Sequence, residues 1–146
     1  MYIAARDAGV VTVVNTQTNG VVRTFFVSGG QVQNVTVSRD GSTLFATDIA
    51  RSRLISWDII SGSAAFQQRA IGSGSQRNAF DVAVTPDNAQ VYVSTLADGK
   101  VYVLNRATRV VLDSIITRGS ARYIGFTANG SHAIIPNEAG WVNYVH

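Results

Sequence analysis

The chain of 146 residues contains no cysteine. Disulfides, thiolate zinc centres, covalent haem attachment and a cysteine nucleophile are therefore excluded. Charge is scarce: Asp, Glu, Lys and Arg make up 14% of the residues, against roughly 25% in typical soluble domains. Long apolar runs are missing too. The longest span four or five residues, as at Val10–Val14, far short of the roughly 18–20 that a membrane-crossing helix needs. The opening Met1–Asp7 has neither a basic n-region nor an apolar h-region, so it does not read as a signal peptide. Lysine occurs once, at Lys100. The formal charge of +3 and the isoelectric point near 9.7 come from arginines scattered singly, apart from Arg51 and Arg53. With no basic run and no aromatic–basic alternation, a nucleic-acid partner is not expected. Helical periodicity is absent as well: no window carries apolar residues at i, i+3, i+4 and i+7 over three turns.

What is present is a repeat. Val35-Thr-Val-Ser-Arg-Asp-Gly-Ser-Thr-Leu-Phe-Ala-Thr-Asp48 aligns with Val82-Ala-Val-Thr-Pro-Asp-Asn-Ala-Gln-Val-Tyr-Val-Ser-Thr95 at an offset of 47 without a gap. A third copy, Ile124–Asn137, follows 42 residues on, and Tyr2–Asn15 matches Tyr92–Asn105 at an offset of 90. Each unit holds an apolar run and a tight-turn pair, Asp40-Gly41, Asp87-Asn88 or Asn129-Gly130. Gly and Asn accept the positive φ of a hairpin turn, and Asp or Asn can bond its own backbone there. A second strand follows, then a short loop with an acid, a third alternating strand, a polar turn and a fourth strand. Gly/Ser-rich joints lead to the next unit. Four short strands every 42–47 residues are the pattern of a β-propeller blade. A β-sandwich also has regular short strands, but it does not usually repeat its turn chemistry in register. The expected fold is all-β, with 14 antiparallel strands forming about 3.5 blades: residues 2–30, 31–77, 78–120 and 121–146.

Residues 82–112, with Val-Ala-Val-Thr-Pro-Asp-Asn and Val-Tyr-Val-Ser-Thr followed by Gly-Lys-Val-Tyr-Val-Leu-Asn, resemble the YVTN-type repeat of WD40/YVTN-like propellers. The resemblance covers essentially the whole chain and departs most over 124–146, where Pro136 enters the second strand. Similar proteins include surface-layer and secreted propellers, lactonase-like enzymes and quinoprotein-like domains. The resemblance implies a secreted or periplasmic setting and says little about function.

Labelled a to d from the channel outward, the strands run b-c-d, a-b-c-d, a-b-c-d, a-b-c. The first blade lacks its innermost strand and the last its outermost. Joining them would duplicate two strands. Three arrangements answer this: a piece of a longer propeller, two copies closing a ring of about eight blades, or a tight four-bladed ring. The expected partners are accordingly a second copy or the remainder of a longer propeller, and a protein or small polar ligand.

In a propeller the b–c loops and d–a joints surround one mouth of the channel, where ligands usually bind. Asp48, Asp98 and Glu138 are read as equivalent acids of the b–c loops. The d–a joints bring Arg77, Asp81 and Arg122 to the same mouth. Converging carboxylates and guanidiniums suit a polar ligand or anion, general acid–base work, or Ca²⁺ or another divalent metal. Turns also select Asp for backbone reasons alone. The first reading is a non-catalytic binding or scaffold module without a cofactor; the second is an enzyme of the lactonase or quinoprotein kind. His132, after the Asn129-Gly130 turn, and His146 are the only histidines; they read as exposed residues, not as a metal site. Gly72-Ser-Gly-Ser75 reads as an inter-blade joint. Trp57 and Trp141, near equivalent places on third strands, read as packing between blades.

Overall fold

The computed structural model describes residues 1–72 and 78–146. Among them are fourteen strands and no helix. Blade I comprises β1 (Tyr2–Ala5), β2 (Val10–Val14) and β3 (Val21–Phe26). Blade II comprises β4 (Val32–Val37), β5 (Thr43–Asp48), β6 (Arg53–Asp58) and β7 (Phe66–Ala70). Blade III comprises β8 (Ala79–Val84), β9 (Gln90–Thr95), β10 (Lys100–Asn105) and β11 (Val111–Ile116). Blade IV comprises β12 (Gly125–Phe126), β13 (Ala133–Pro136) and β14 (Val142–Val145). Every sheet is an antiparallel meander in chain order. The expected β-propeller blades are formed, with the strand count read from the repeat.

The turn chemistry repeats atom for atom. Ser38, Thr85 and Thr127 each donate a hydroxyl hydrogen bond to the turn residue two positions on: Asp40, Asp87 or Asn129. The same Oδ1 accepts the amide of Ser42, Ala89 or Ser131. The hydroxyl in turn accepts the amide of Thr43, Gln90 or His132. These local bonds close each first hairpin and set its register.

The core lies between sheets. Val11 and Phe25 of blade I meet Leu44, Ala46, Ile55 and Trp57 of blade II. Phe45 and Leu54 of blade II meet Val82, Val91, Val93 and Leu104 of blade III. Val101 of blade III meets Ile124, Ala133 and Ile135 of blade IV. Successive residues of a strand point to opposite faces, so Leu44 packs toward blade I while Phe45 packs toward blade III. Both faces of the central strands of blades II and III are thus buried, while their outermost strands β7 and β11 stay largely exposed. Trp57 is fully buried, against Phe25 at 5.2 Å and Phe66 at 5.9 Å between ring centroids. Trp141 differs from its expected role: it is exposed on a loop, its indole N–H donating to the Thr117 carbonyl at 3.2 Å. The outward faces of blades I and IV carry exposed Ile3, Phe26, Ile134, Val142 and Tyr144. The four blades therefore form an open arc rather than the tight closed ring considered from the sequence.

Two buried hydroxyls staple the arc. Thr47 Oγ1 accepts the Asn34 amide of its own blade at 3.1 Å and donates to the Phe80 carbonyl of the next at 2.8 Å. Ser94, 47 residues on, accepts the Asp81 amide at 3.0 Å and donates to the Arg122 carbonyl at 2.8 Å. The innermost strands β4 and β8 bulge at matching places, between Val32 and Asn34 and between Ala79 and Val82. A bulge leaves an amide without a ladder partner, and the hydroxyl supplies one. Thr47→Val and Ser94→Ala each orphan a backbone donor and acceptor in the interior. Each is expected to cost about 1–3 kcal/mol, read as a lowered urea midpoint; an unchanged midpoint for both would remove the staple from the account of stability.

Candidate functional site

The mouth is built by two kinds of backbone bond, each recurring in three of the four blades. The Ile49, Leu96 and Glu138 amides donate to the Gln31, Asn78 and Ser120 carbonyls at 3.0–3.2 Å. These bonds tie each b–c loop to the joint entering its blade. The Val27, Ile71 and Thr117 amides, at the exit of each fourth strand, donate to the Gly9, Ser52 and Gly99 carbonyls. That loop position is left-handed in blades I, II and III: φ is 61° at Gly9, 48° at Ser52 and 60° at Gly99. A Cβ on Gly9 would stand 2.6 Å from the Gly30 carbonyl oxygen, so the close approach of loop and joint requires glycine there.

The expected acids divide among different jobs. Asp48 is not a loop residue but the last of β5, paired with Arg53. Its register counterpart in blade III is Thr95, paired with Lys100, and not Asp98. In blade IV the counterpart is Asn137, which accepts the Ala139 amide as Asp48 accepts that of Ala50. The equivalence of Asp48 with Asp98 and Glu138 is therefore corrected: the latter two stand one to three residues further on. Asp48 is fully buried and accepts the Gln31 amide at 2.9 Å and Arg53 Nε at 2.8 Å. It latches joint to loop. Asp98 accepts hydrogen bonds from Thr95 Oγ1 and, at 2.7 Å, from the Tyr102 hydroxyl. Glu138 is exposed and paired with Arg122. The Arg122 hydrogen bond is the largest influence holding its carboxyl below the usual glutamate range. The guanidinium of Arg122 also covers the Phe80 ring at 4.7 Å, a cation–π contact. Arg122, Tyr123, Pro136, Asn137 and Glu138 line an open depression of about 380 Å³. Arg77 and the Gly72–Ser75 joint beyond Gly72 lie outside the described residues.

Asp81 is the unusual member. It is only 6% exposed. Asn34 Nδ2 of blade II donates to its Oδ1, and the Ile124 amide of blade IV donates to its Oδ2 at 2.7 Å. One carboxylate thus joins the inner strands of three blades. Asn34 is its equivalent 47 residues back, so the repeat places amide and acid side by side. Burial pushes the Asp81 carboxyl up to about 6, and hydrogen bonds from the Ile124 and Val82 backbone amides only partly oppose that. No three His, Asp or Glu side chains among the described residues converge closely enough to hold a metal.

Two features escaped sequence reasoning. The first is the hydroxyl staple, whose signal was available: Thr47 and Ser94 share one place in the repeat. The second is the meeting of the histidines. His132 and His146 flank the β13–β14 pair Ala133–Val145, and their ring centroids lie 4.9 Å apart. His132 is half-buried rather than exposed.

No family model matches the chain, and no curated protein matches it. Among solved structures it is similar to a chain of Kuenenia stuttgartiensis hydrazine synthase, with a TM-score of 0.86 at 17% identity. The alignment covers 98% of this chain and 41% of that one. At that identity the likeness is one of fold: these are propeller blades, spanning about two fifths of the chain they resemble.

The Asp81 environment has a pH signature. Its folded-state value lies above the ordinary carboxyl value of 3.8, so its contribution to stability is complete below pH 4 and is lost as pH rises through 6. The loss is on the order of 2–3 kcal/mol. Asp81→Asn, which places the Asn34 side-chain type at this position, is expected to remove that slope. Urea midpoints between pH 4 and 7 test this; equal slopes in parent and variant would refute it.

Proposed function

We propose that this chain supplies propeller blades acting as a binding or scaffold module, with a protein or small polar ligand held at the loop-lined mouth. The observation that carries this reading is where the polar groups of the mouth are spent. Asp48 holds the joint at Gln31, Asp81 joins three blades, and Glu138 is paired with Arg122. A general base or a hard-metal site needs carboxylates aimed at a shared point; these are aimed at the protein's own loops. What they build is a rigid polar rim, with the Arg122–Glu138 pair and Tyr123 facing solvent over the open depression. The alternative is a lactonase-like or quinoprotein-like enzyme with a divalent metal at the mouth.

The outward faces support a partner for the arc itself. Ile3 is 41% exposed and Tyr144 62%, whereas their counterparts in blade III, Val93 and Val103, are buried against a neighbouring blade. Further blades, from the rest of a longer propeller or from a second copy, would cover them. Exposed apolar sheet faces drive association.

Ca²⁺ separates module from enzyme. The module reading expects no change in melting temperature with millimolar Ca²⁺. A rise of several degrees that Glu138→Gln abolishes would favour the metal-bearing enzyme. The arc reading expects self-association in light scattering, weakened by Ile3→Lys and Tyr144→Lys without loss of melting temperature. A monodisperse species at the 15.6 kDa of one chain would count against it.

A further inference from the structure

On the rim opposite the mouth, a cleft of about 200 Å³ runs between the first hairpin of blade III and blade IV. Its lining includes Asp87, Tyr92, Phe126, Ser131, His132 and His146. We propose that His132 and His146 form a binding site for a zinc-class transition-metal ion, with the remaining coordination positions open to solvent or an external ligand.

The register makes the pair. Ala133 is opposite Val145, so the residue before one and the residue after the other stand across from each other at the hairpin's open end. The corresponding places hold Gln90 opposite Asn105 in blade III and Thr43 opposite Asp58 in blade II. Only blade IV puts two imidazoles there. Two imidazoles on one tetrahedral ion, each nitrogen about 2.0–2.1 Å from it, have ring centres about 5 Å apart; these lie 4.9 Å apart. His146 is exposed at the cleft rim, and its χ2 is a soft torsion.

The hydrogen-bond network also sets the His132 tautomer. Asn129 Oδ1 is identified as the oxygen because it accepts the Ser131 amide at 3.1 Å. It accepts the Ser131 hydroxyl proton at 2.8 Å. Ser131 Oγ has only that proton, so toward His132 Nδ1, 2.8 Å away, it is the acceptor. Nδ1 therefore carries a hydrogen, which leaves Nε2 as the nitrogen available to a metal ion. This is the oriented imidazole that metal ligation uses, with its outer nitrogen held by a second partner. The Tyr144 ring also packs against His132, at 4.5 Å between ring centroids.

Asp87 adds the field. In blade II the equivalent acid, Asp40, is neutralised by Arg106 at 3.1 Å. Asp87 forms no ion pair among the described residues, and its carboxyl is held below the usual range by the Thr85 hydroxyl and the Ala89 amide. An unneutralised anion thus lines the cleft that holds the two imidazoles. It attracts a cation through space rather than by a bond. Imidazole nitrogens favour Zn²⁺, Ni²⁺ or Cu²⁺ over Ca²⁺ and Mg²⁺, which keeps this site distinct from any Ca²⁺ response at the mouth.

The test uses the untagged chain and ZnCl₂. Because the sequence has two histidines, imidazole ¹H–¹⁵N spectra read both ligands directly. One equivalent of Zn²⁺ is expected to shift both rings together, with calorimetry giving one ion per chain. His132→Gln and His146→Asn restore the side chains of blade III at the same places, so folding should persist. Each should weaken Zn²⁺ binding at least tenfold, and Asp87→Asn should weaken it a few-fold. Either ring remaining unshifted at saturation, the two rings titrating independently, or unchanged affinity in His132→Gln would overturn the proposal.

Discussion

A blade cannot be stable alone, and everything in this molecule follows from that constraint. Each sheet has three or four short strands, and its apolar residues project from both faces. An isolated sheet of that kind would expose Leu44 on one side and Phe45 on the other. Stacking buries both, and it creates a polar problem where the inner strands meet. Their bulges release backbone groups into an interior from which water is excluded, where each unpaired group costs about 1–3 kcal/mol. Thr47 and Ser94 settle this with one hydroxyl each, accepting within a blade and donating to the next. A hydroxyl both donates and accepts, so it suits a junction with one group of each kind.

The same economy shapes the mouth. Loops and joints approach so closely that glycine is required at Gly9, and the recurring backbone bonds leave few polar groups unsatisfied. Asp48 and Asp81 show two ways of keeping a carboxylate in such a place. Asp48 is buried beside Arg53, which supplies a countercharge and a hydrogen bond. Asp81 has neutral donors, Asn34 and a backbone amide, and burial therefore dominates its titration. The opposite rim is less committed. There Asp87 stands without the arginine that its counterpart Asp40 has, and the two histidines share its cleft.

Much of the fold could be read from residues 35–48 and 82–95 alone. Their gapless offset announced a repeating four-strand unit, and Asp40-Gly41 and Asp87-Asn88 marked its hairpins. This worked because a hairpin turn is decided by residues within about five positions of one another, through φ preference and side-chain bonds to the local backbone. The site was less legible. Aligning Asp48 with Asp98 and Glu138 used their general location near the second hairpin, whereas the ladder sets Asp48 against Thr95 and Asn137. The burial of Asp81 was invisible for a related reason: nothing near it in the chain shows that Asn34, 47 residues earlier, and Ile124, 43 later, will close over it.

The amino-acid sequence by itself determined the strand number, the first-hairpin turns and the period of the repeat. Those depend on interactions between near neighbours and on alternation with period two. Only the tertiary structure decided which polar groups meet: hydroxyl with the next blade's carbonyl, carboxylate with two neighbouring blades, imidazole with imidazole across the rim. These contacts join residues far apart in the chain. They arise from the stacking that buries both faces of the central strands of blades II and III, and no short stretch of sequence contains both partners.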